Sequence, residues 1–229
     1  MIKNVKEKLY KHTNGFTLAE VLITLVVIGV VASMTVPTLI ANHNQKSYQA
    51  TLRKNYSVLQ QASTRYYIDN GEYFTFDFEG EDEYNNVQEK YKNEFLLKYL
   101  NVAKNCSVDS CYDKPIEYSN LNGTSKKSYN VNKYGIILTD GSLINTNANF
   151  ADEDKTRASL FFRIDVNGAY KKPNTFGKDF FEFEIRSDGK IIPGGSEGSY
   201  YEDASIYCNE DSEDEANGIG CTYEMLKEK

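Results

Sequence analysis

The chain has no tryptophan and only two histidines in 229 residues. His12 lies near the start, and His43 just beyond a long apolar run. No imidazole base therefore follows position 43, which excludes a Ser-His-Asp or Cys-His arrangement in the rest of the chain. The G-x-S-x-G, H-E-x-x-H and P-loop patterns are also missing. Paired carboxylates, which any acidic protein contains, and a lysine-dependent activity are what remain for catalysis. Basic residues are absent from two stretches: residues 72–83 carry six acids and no base, and Glu197 to Glu215 eight acids and no base. Net charge is −7; the first fourteen residues are +3, so the remainder is −10. Such a body argues against a nucleic-acid groove, which needs clustered Lys and Arg. There are no internal repeats.

Cysteine is absent from the first 105 residues, and the four that exist are Cys106, Cys111, Cys208 and Cys221. An even number confined to the part beyond an apolar N-terminal segment suggests disulfides in an oxidising compartment. Three pairings are open. Cys106–Cys111 and Cys208–Cys221 each close a short loop and are the expected pair. A metal site would lack both C-x2-C spacing and a nearby histidine.

The long apolar run extends from Gly15-Phe16 to Val36-Pro37, with one carboxylate, Glu20, near its start. Lys3, Lys6, Lys8 and Lys11 precede it. The arrangement reads like a secretory signal, but no A-x-A site follows the run, and the small residue Gly15 stands before it. With Phe16–Leu18 the run reaches the ~20 residues that a spanning helix needs. The lysines place its N-terminal side in the cytoplasm and the rest of the chain outside.

Gly15-Phe16-Thr17-Leu18-Ala19-Glu20, followed by Val-Leu-Ile-Thr-Leu and by Pro37, resembles the N-terminus of the type IV pilin and type II secretion pseudopilin superfamily. The resemblance covers about the first fifth of the chain. It implies cleavage by a prepilin peptidase between Gly15 and Phe16, methylation of Phe16, and assembly through the apolar helix. It also implies that Glu20 meets the free N-terminal amine of a neighbouring subunit. That pairing would relieve a carboxylate in lipid of a cost of several kcal/mol. A plain anchor would instead let Glu20 reach back to the headgroups. Pro37, which cannot donate an amide hydrogen bond, is expected to kink or locally melt the helix.

Beyond Pro37 a helical period continues through Tyr48, Leu52, Tyr56, Leu59, Ala62 or Ser63, and Tyr66, and Asn70-Gly71 reads as a C-cap. One helix from Phe16 to Asp69 would be about 80 Å long. Residues 72–83 read as a loop partly packed by its aromatics, and Asn85 to Leu100 as a second helix. Residues 112–130 read as a surface loop. Strands are expected at 134–139 and 142–144 around an Asp140-Gly141 turn, then at 160–166, 181–186 and 190–195. In the fourth of these, Phe181, Phe183 and Ile185 alternate with Glu182, Glu184 and Arg186, which predicts polar residues facing out. Residues 196–217 read as an acidic tail loop pinned by Cys208–Cys221. The fold class is α+β: a long N-terminal helix, then an antiparallel sheet laid on its second half. This is also the pilin-like architecture that the resemblance implies. The expected divisions are a leader at 1–15, a transmembrane and polymerisation helix at 16–40, and a globular domain at 41–229.

Asp165-Val-Asn167-Gly168, with Pro173-Asn174 and Gly177-Lys-Asp179-Phe after it, is the best candidate for a small site. Asp165, Asn167 and Asp179 offer oxygens to a hard cation such as Ca2+. An EF-hand would need Glu twelve residues in, where Phe176 stands. The favoured reading is a structural turn, with Gly168 at positive φ and Asp and Asn capping loop amides; no cofactor is then required. The functional expectation is a structural subunit of a type II secretion pseudopilus or type IV pilus. Its partners would be prepilin peptidase, other pilin subunits and the inner-membrane assembly platform. A minor or tip pilin that binds a substrate, a surface or DNA is the alternative, and a membrane-anchored enzyme comes third.

Overall fold

The structure, a computed structural model, describes residues 15–76, 83–129, 131–150, 158–186 and 188–227. The basic leader and the acidic stretch 77–82 lie outside the described residues. The chain divides into two units, one up to Asn44 and one from Gln45 onward. A single helix, α1 (Leu18–Asn70), contributes to both.

In the second unit, α1 buries the stripe Leu52, Leu59 and Ala62, with Tyr48, Tyr56 and Tyr66 half-buried beside it. These recur every three or four residues, as one face of a helix must. The helix ends where expected: Gly71 adopts φ +78°, which favours glycine, and its N–H bonds to the Tyr67 carbonyl. Next comes α2 (Tyr84–Tyr91), which runs into a π-helical turn (Lys92–Leu96) and one α-helical turn, α3 (Leu97–Tyr99). The wider π turn lets neighbours Tyr91 and Lys92, and again Phe95 and Leu96, all turn inward.

Six strands form one antiparallel sheet: β1 (Val102–Asn105), β4 (Gly135–Leu138), β5 (Leu143–Phe150), β6 (Ala158–Asp165), β7 (Phe180–Ile185) and β8 (Ile191–Pro193), in that spatial order. The face that receives α1 presents Ile136, Ile144, Leu160, Phe162, Ile164, Phe181, Phe183 and Ile185, all buried. Tyr56 stacks on Phe183, and Phe183 on Phe162. Short helical turns α4 (Cys106–Asp109) and α5 (Val131–Tyr134) flank the start of the sheet, and α6 (Ala204–Tyr207) and α7 (Cys221–Lys227) lie in the C-terminal segment.

Three expectations are corrected here. Residues 112–130 are not merely a surface loop: they contain a second, two-stranded sheet, β2 (Ile116–Ser119) with β3 (Lys126–Tyr129). Its residue Tyr118 is fully buried and stacks on Phe180, 3.7 Å between ring centroids. Secondly, the polar side of β7 does not face out. Glu182 and Glu184 are 1% and 2% exposed, because that face of the sheet is also covered. A smaller core of Tyr112, Ile116, Tyr118, Leu143, Phe176, Phe180 and Ile219 lies there. Finally, α1 runs unbroken through Pro37, so the helix does not melt there.

The sulfur bridges join Cys106 to Cys111 and Cys208 to Cys221. The second closes a segment in which Asn217 is fully buried. Asn217 donates to the Asn209 and Ser212 carbonyls at 2.7 and 2.8 Å and accepts from the Asn209 N–H. The chain approaches itself so closely that a Cβ on Gly195 would meet the Gly220 carbonyl oxygen at 1.8 Å. Glycine alone fits that contact.

Candidate functional site

The N-terminal segment is a helix whose surface is almost wholly apolar from Phe16 to Ile40. Between Phe16 and Gln45 the one charged side chain is Glu20. The apolar side chains are exposed throughout, from Phe16 at 88% to Ile40 at 56%, and none of the most apolar window is buried. Its hydroxyls turn back onto the helix itself. Thr24 donates to the Val21 carbonyl (2.9 Å), Ser33 to Val30 (2.7 Å), Thr35 to Val31 (3.0 Å) and Thr38 to Met34 (3.4 Å). Donors satisfied within the helix cost little in lipid.

Glu20 closes the start of this helix. The Thr17 N–H and the Thr17 hydroxyl both donate to Glu20 Oε2 at 2.8 Å, and the Glu20 N–H donates back to Thr17 Oγ1 at 3.2 Å. This is a reciprocal capping box, with Thr17 as N-cap and Glu20 at the third helical position. Sequence reasoning missed this role of Thr17, although T-x-x-E before an apolar run is its signature. The carboxylate therefore has local donors at the positive end of a helix.

The second sequence-predicted set, Asp165, Asn167 and Asp179, is brought together. Asp179 lies in the turn before β7. It accepts from the Asn174 N–H (2.9 Å), the Thr175 N–H (2.7 Å) and the Asn167 side-chain amide (3.1 Å). Asp165, at the end of β6, accepts from the Asn167 N–H (3.2 Å) and from the Tyr118 hydroxyl (2.9 Å). Both carboxyls are fully buried. Burial, reinforced by the charge of Asp179, pushes Asp165 up to about 7. Burial also raises Asp179, though its N–H donors oppose the rise. Asn167 thus presents N–H groups, not its side-chain oxygen, to the carboxylates. Hydrogen bonds tie the loop 165–179 to itself and to Tyr118 of β2. We expect the melting temperature to be unchanged by either a chelator or millimolar Ca2+; a shift of several degrees with Ca2+ would instead show that the cluster takes the ion. Among the described residues no group of three His, Cys, Asp or Glu side chains is arranged to hold a metal. Tyr118 and Asn174, which complete the cluster, carried no signal in the sequence beyond the Pro173-Asn174 pair.

Residues 10–36 match the family described as the prokaryotic N-terminal methylation motif. The type II secretion system core protein G of Aeromonas hydrophila is 35% identical over 65 residues. That alignment covers 28% of this chain and 45% of the relative, so the chain spans less than half of the protein that it matches. No solved structure matches the chain. The methylation motif at its start and the similarity to a type II secretion system core protein support the resemblance to the type IV pilin and pseudopilin superfamily, and a long N-terminal helix ahead of an antiparallel sheet is consistent with a pilin-like α+β fold.

Proposed function

We propose that the protein is a structural subunit of a type II secretion pseudopilus or a related type IV pilus. The single observation that carries this reading is the fully exposed apolar helix with one capped carboxylate at its head. A surface of that kind needs either lipid or other copies of the same helix, and the proposed subunit uses both in turn. Prepilin peptidase cuts between Gly15 and Phe16 and removes the lysine-rich leader on the cytoplasmic side, and the subunit waits in the inner membrane with its new N-terminus inside and its globular part outside. The assembly platform then moves it into the filament. There Glu20 exchanges its contact with Thr17 for the free amine of a neighbouring Phe16, and Pro37 lies within the packed bundle. The similarity to a secretion-system core protein favours the secretion machine over a pilus. The globular part acts by assembly and not by catalysis.

Co-expression with a prepilin peptidase is expected to shorten the chain by about fifteen residues, the length up to Gly15. Gly15→Ala should block the cut, and Glu20→Ala should be cut normally yet be depleted from sheared filaments. Mass spectrometry that found an intact N-terminus, or a cut after Pro37, would end this reading.

A further inference from the structure

Lys92 opens the π-helical turn and is only 3% exposed. Its ammonium donates to Ser107 Oγ at 2.8 Å and to the Lys133 carbonyl at 3.4 Å, both neutral oxygens. Among the described residues no carboxylate oxygen lies within 4.0 Å of it. The Ser107 hydroxyl is in turn fixed by Asn105 Oδ1 at 2.9 Å, so the lysine meets an oriented oxygen. An ammonium carries three N–H donors, of which two are used in these hydrogen bonds, and the charge also lies over the Tyr134 ring, 6.0 Å from its centre. A buried cation with no carboxylate in direct contact is costly, and Glu89 in the same cleft offsets only part of that cost.

The position opens onto a cleft of about 440 Å³ lined by Glu89, Lys92, Ser107, Asn132, Lys133 and Tyr134. Lys133, exposed at the rim, adds a second positive charge; its Nζ is 3.0 Å from Asn85 Oδ1. Burial lowers the Lys92 ammonium below the ordinary lysine range, while Glu89 pulls it back up. The π turn is what aims Lys92 here, and π-helical turns cluster at functional sites.

We infer that this cleft is an oxyanion site, with Lys92 as its floor, Lys133 at its rim, and a phosphate or carboxylate group as its ligand. The remaining Lys92 N–H points the charge at the anion, and Ser107 and the Lys133 carbonyl hold the ammonium in place. Glu89 competes with the anion for the same charge, which keeps the affinity modest and the site reversible.

The test uses the full chain in detergent micelles, with thermal melting followed by tyrosine near-ultraviolet circular dichroism. Inorganic phosphate and acetate are the two probes, each compared with chloride at equal ionic strength. Either oxyanion is expected to raise the midpoint saturably, by about 3–5 °C at ten times its dissociation constant. The stronger of the two identifies the source chemistry. Lys92→Met should fold and lose this shift, and Glu89→Gln should lower the half-saturating concentration several-fold. The inference is overturned if neither probe exceeds chloride, if Lys92→Met shifts as much as the wild type, or if Glu89→Gln leaves the titration unchanged.

Discussion

Replacing Arg163 by methionine is expected to destabilise the protein by about 3–5 kcal/mol at neutral pH, the cost of leaving a buried charge without its partner. Arg163 on β6 faces Glu182 on β7 as a cross-strand pair, and the two side chains form a salt bridge. Both are buried, and the guanidinium carbon lies 4.7 Å from the centre of the Tyr129 ring. Burial pushes the Glu182 carboxyl up, and Arg163 is the chief influence that opposes the rise. Without Arg163 the folded-state pKa of Glu182 moves further above its unfolded value. Its favourable contribution is then present at low pH and lost as pH rises through the folded value. The deficit of Arg163→Met should therefore be larger at pH 8 than at pH 5. The double variant Arg163→Met with Glu182→Met removes both charges and should come within about 1 kcal/mol of the wild type. Urea denaturation of the two variants decides the matter: a single variant that loses under 1 kcal/mol, or a double that is no better than the single, would show that the pair does not hold the sheet to its outer cover.

That pair also marks where the sequence stopped being legible. The helix α1 is readable because apolar residues recur at the helical period over several turns, and no other structure uses that spacing. Phe181, Phe183 and Ile185 are readable as the inward face of β7 for the same reason at period two. Glu182 and Glu184 read as solvent-facing, because a carboxylate in an alternating strand normally is. Nothing local announces that Tyr118 will stack on Phe180 of the same strand, or that Tyr129 and Tyr201 will lie beside the Arg163–Glu182 pair. Tyr118 arrives from a hairpin of four-residue strands, too short for period to separate from noise, and Tyr201 from a segment whose composition looks like an open loop. Glu184 is held there by Ser159 and by the Tyr200 N–H, contacts between residues distant in sequence. Lys92 was hidden differently. An α-helical count aligns Val87, Tyr91 and Phe95 and leaves Lys92 beside the stripe, and only the π turn brings it in. The capping box at the head of the N-terminal helix lies within four consecutive residues, Thr17 to Glu20, and could have been read, although only Glu20 was picked out. Local devices can be read from local sequence; a covering layer assembled from three separate segments cannot.

The buried carboxyl of Asp165 gives the other large effect, and its sign is opposite to that of an ordinary paired carboxylate. Burial and the neighbouring Asp179 raise it from 3.8 to about 7. Between those two values the folded state holds a proton that the unfolded chain has lost, so unfolding releases one. The contribution of Asp165 is fully present below pH 3.8 and falls by about 1.4 kcal/mol per pH unit until pH passes the folded value near 7. Over that window the loss is about 4 kcal/mol. Asp179 is raised as well and acts in the same direction. Asp140 acts oppositely: burial raises it, but the Ser142 N–H and Lys54 outweigh this and leave it lowered, so its contribution is lost in acid. Stability should therefore peak on the acid side of neutrality. Asp165→Asn keeps an oxygen for the Asn167 N–H and supplies an N–H to the Tyr118 hydroxyl, without a charge. Its stability should exceed that of the wild type by about 2–4 kcal/mol at pH 8 and by much less at pH 5. Asp165→Ala, which lacks the acceptor, should be less stable than Asp165→Asn at every pH. Urea titrations at pH 5, 6, 7 and 8 separate these outcomes. An Asp165→Asn curve parallel to that of the wild type would mean that the carboxyl is already ionised in the folded protein and that the loop 165–179 bears its charge without cost.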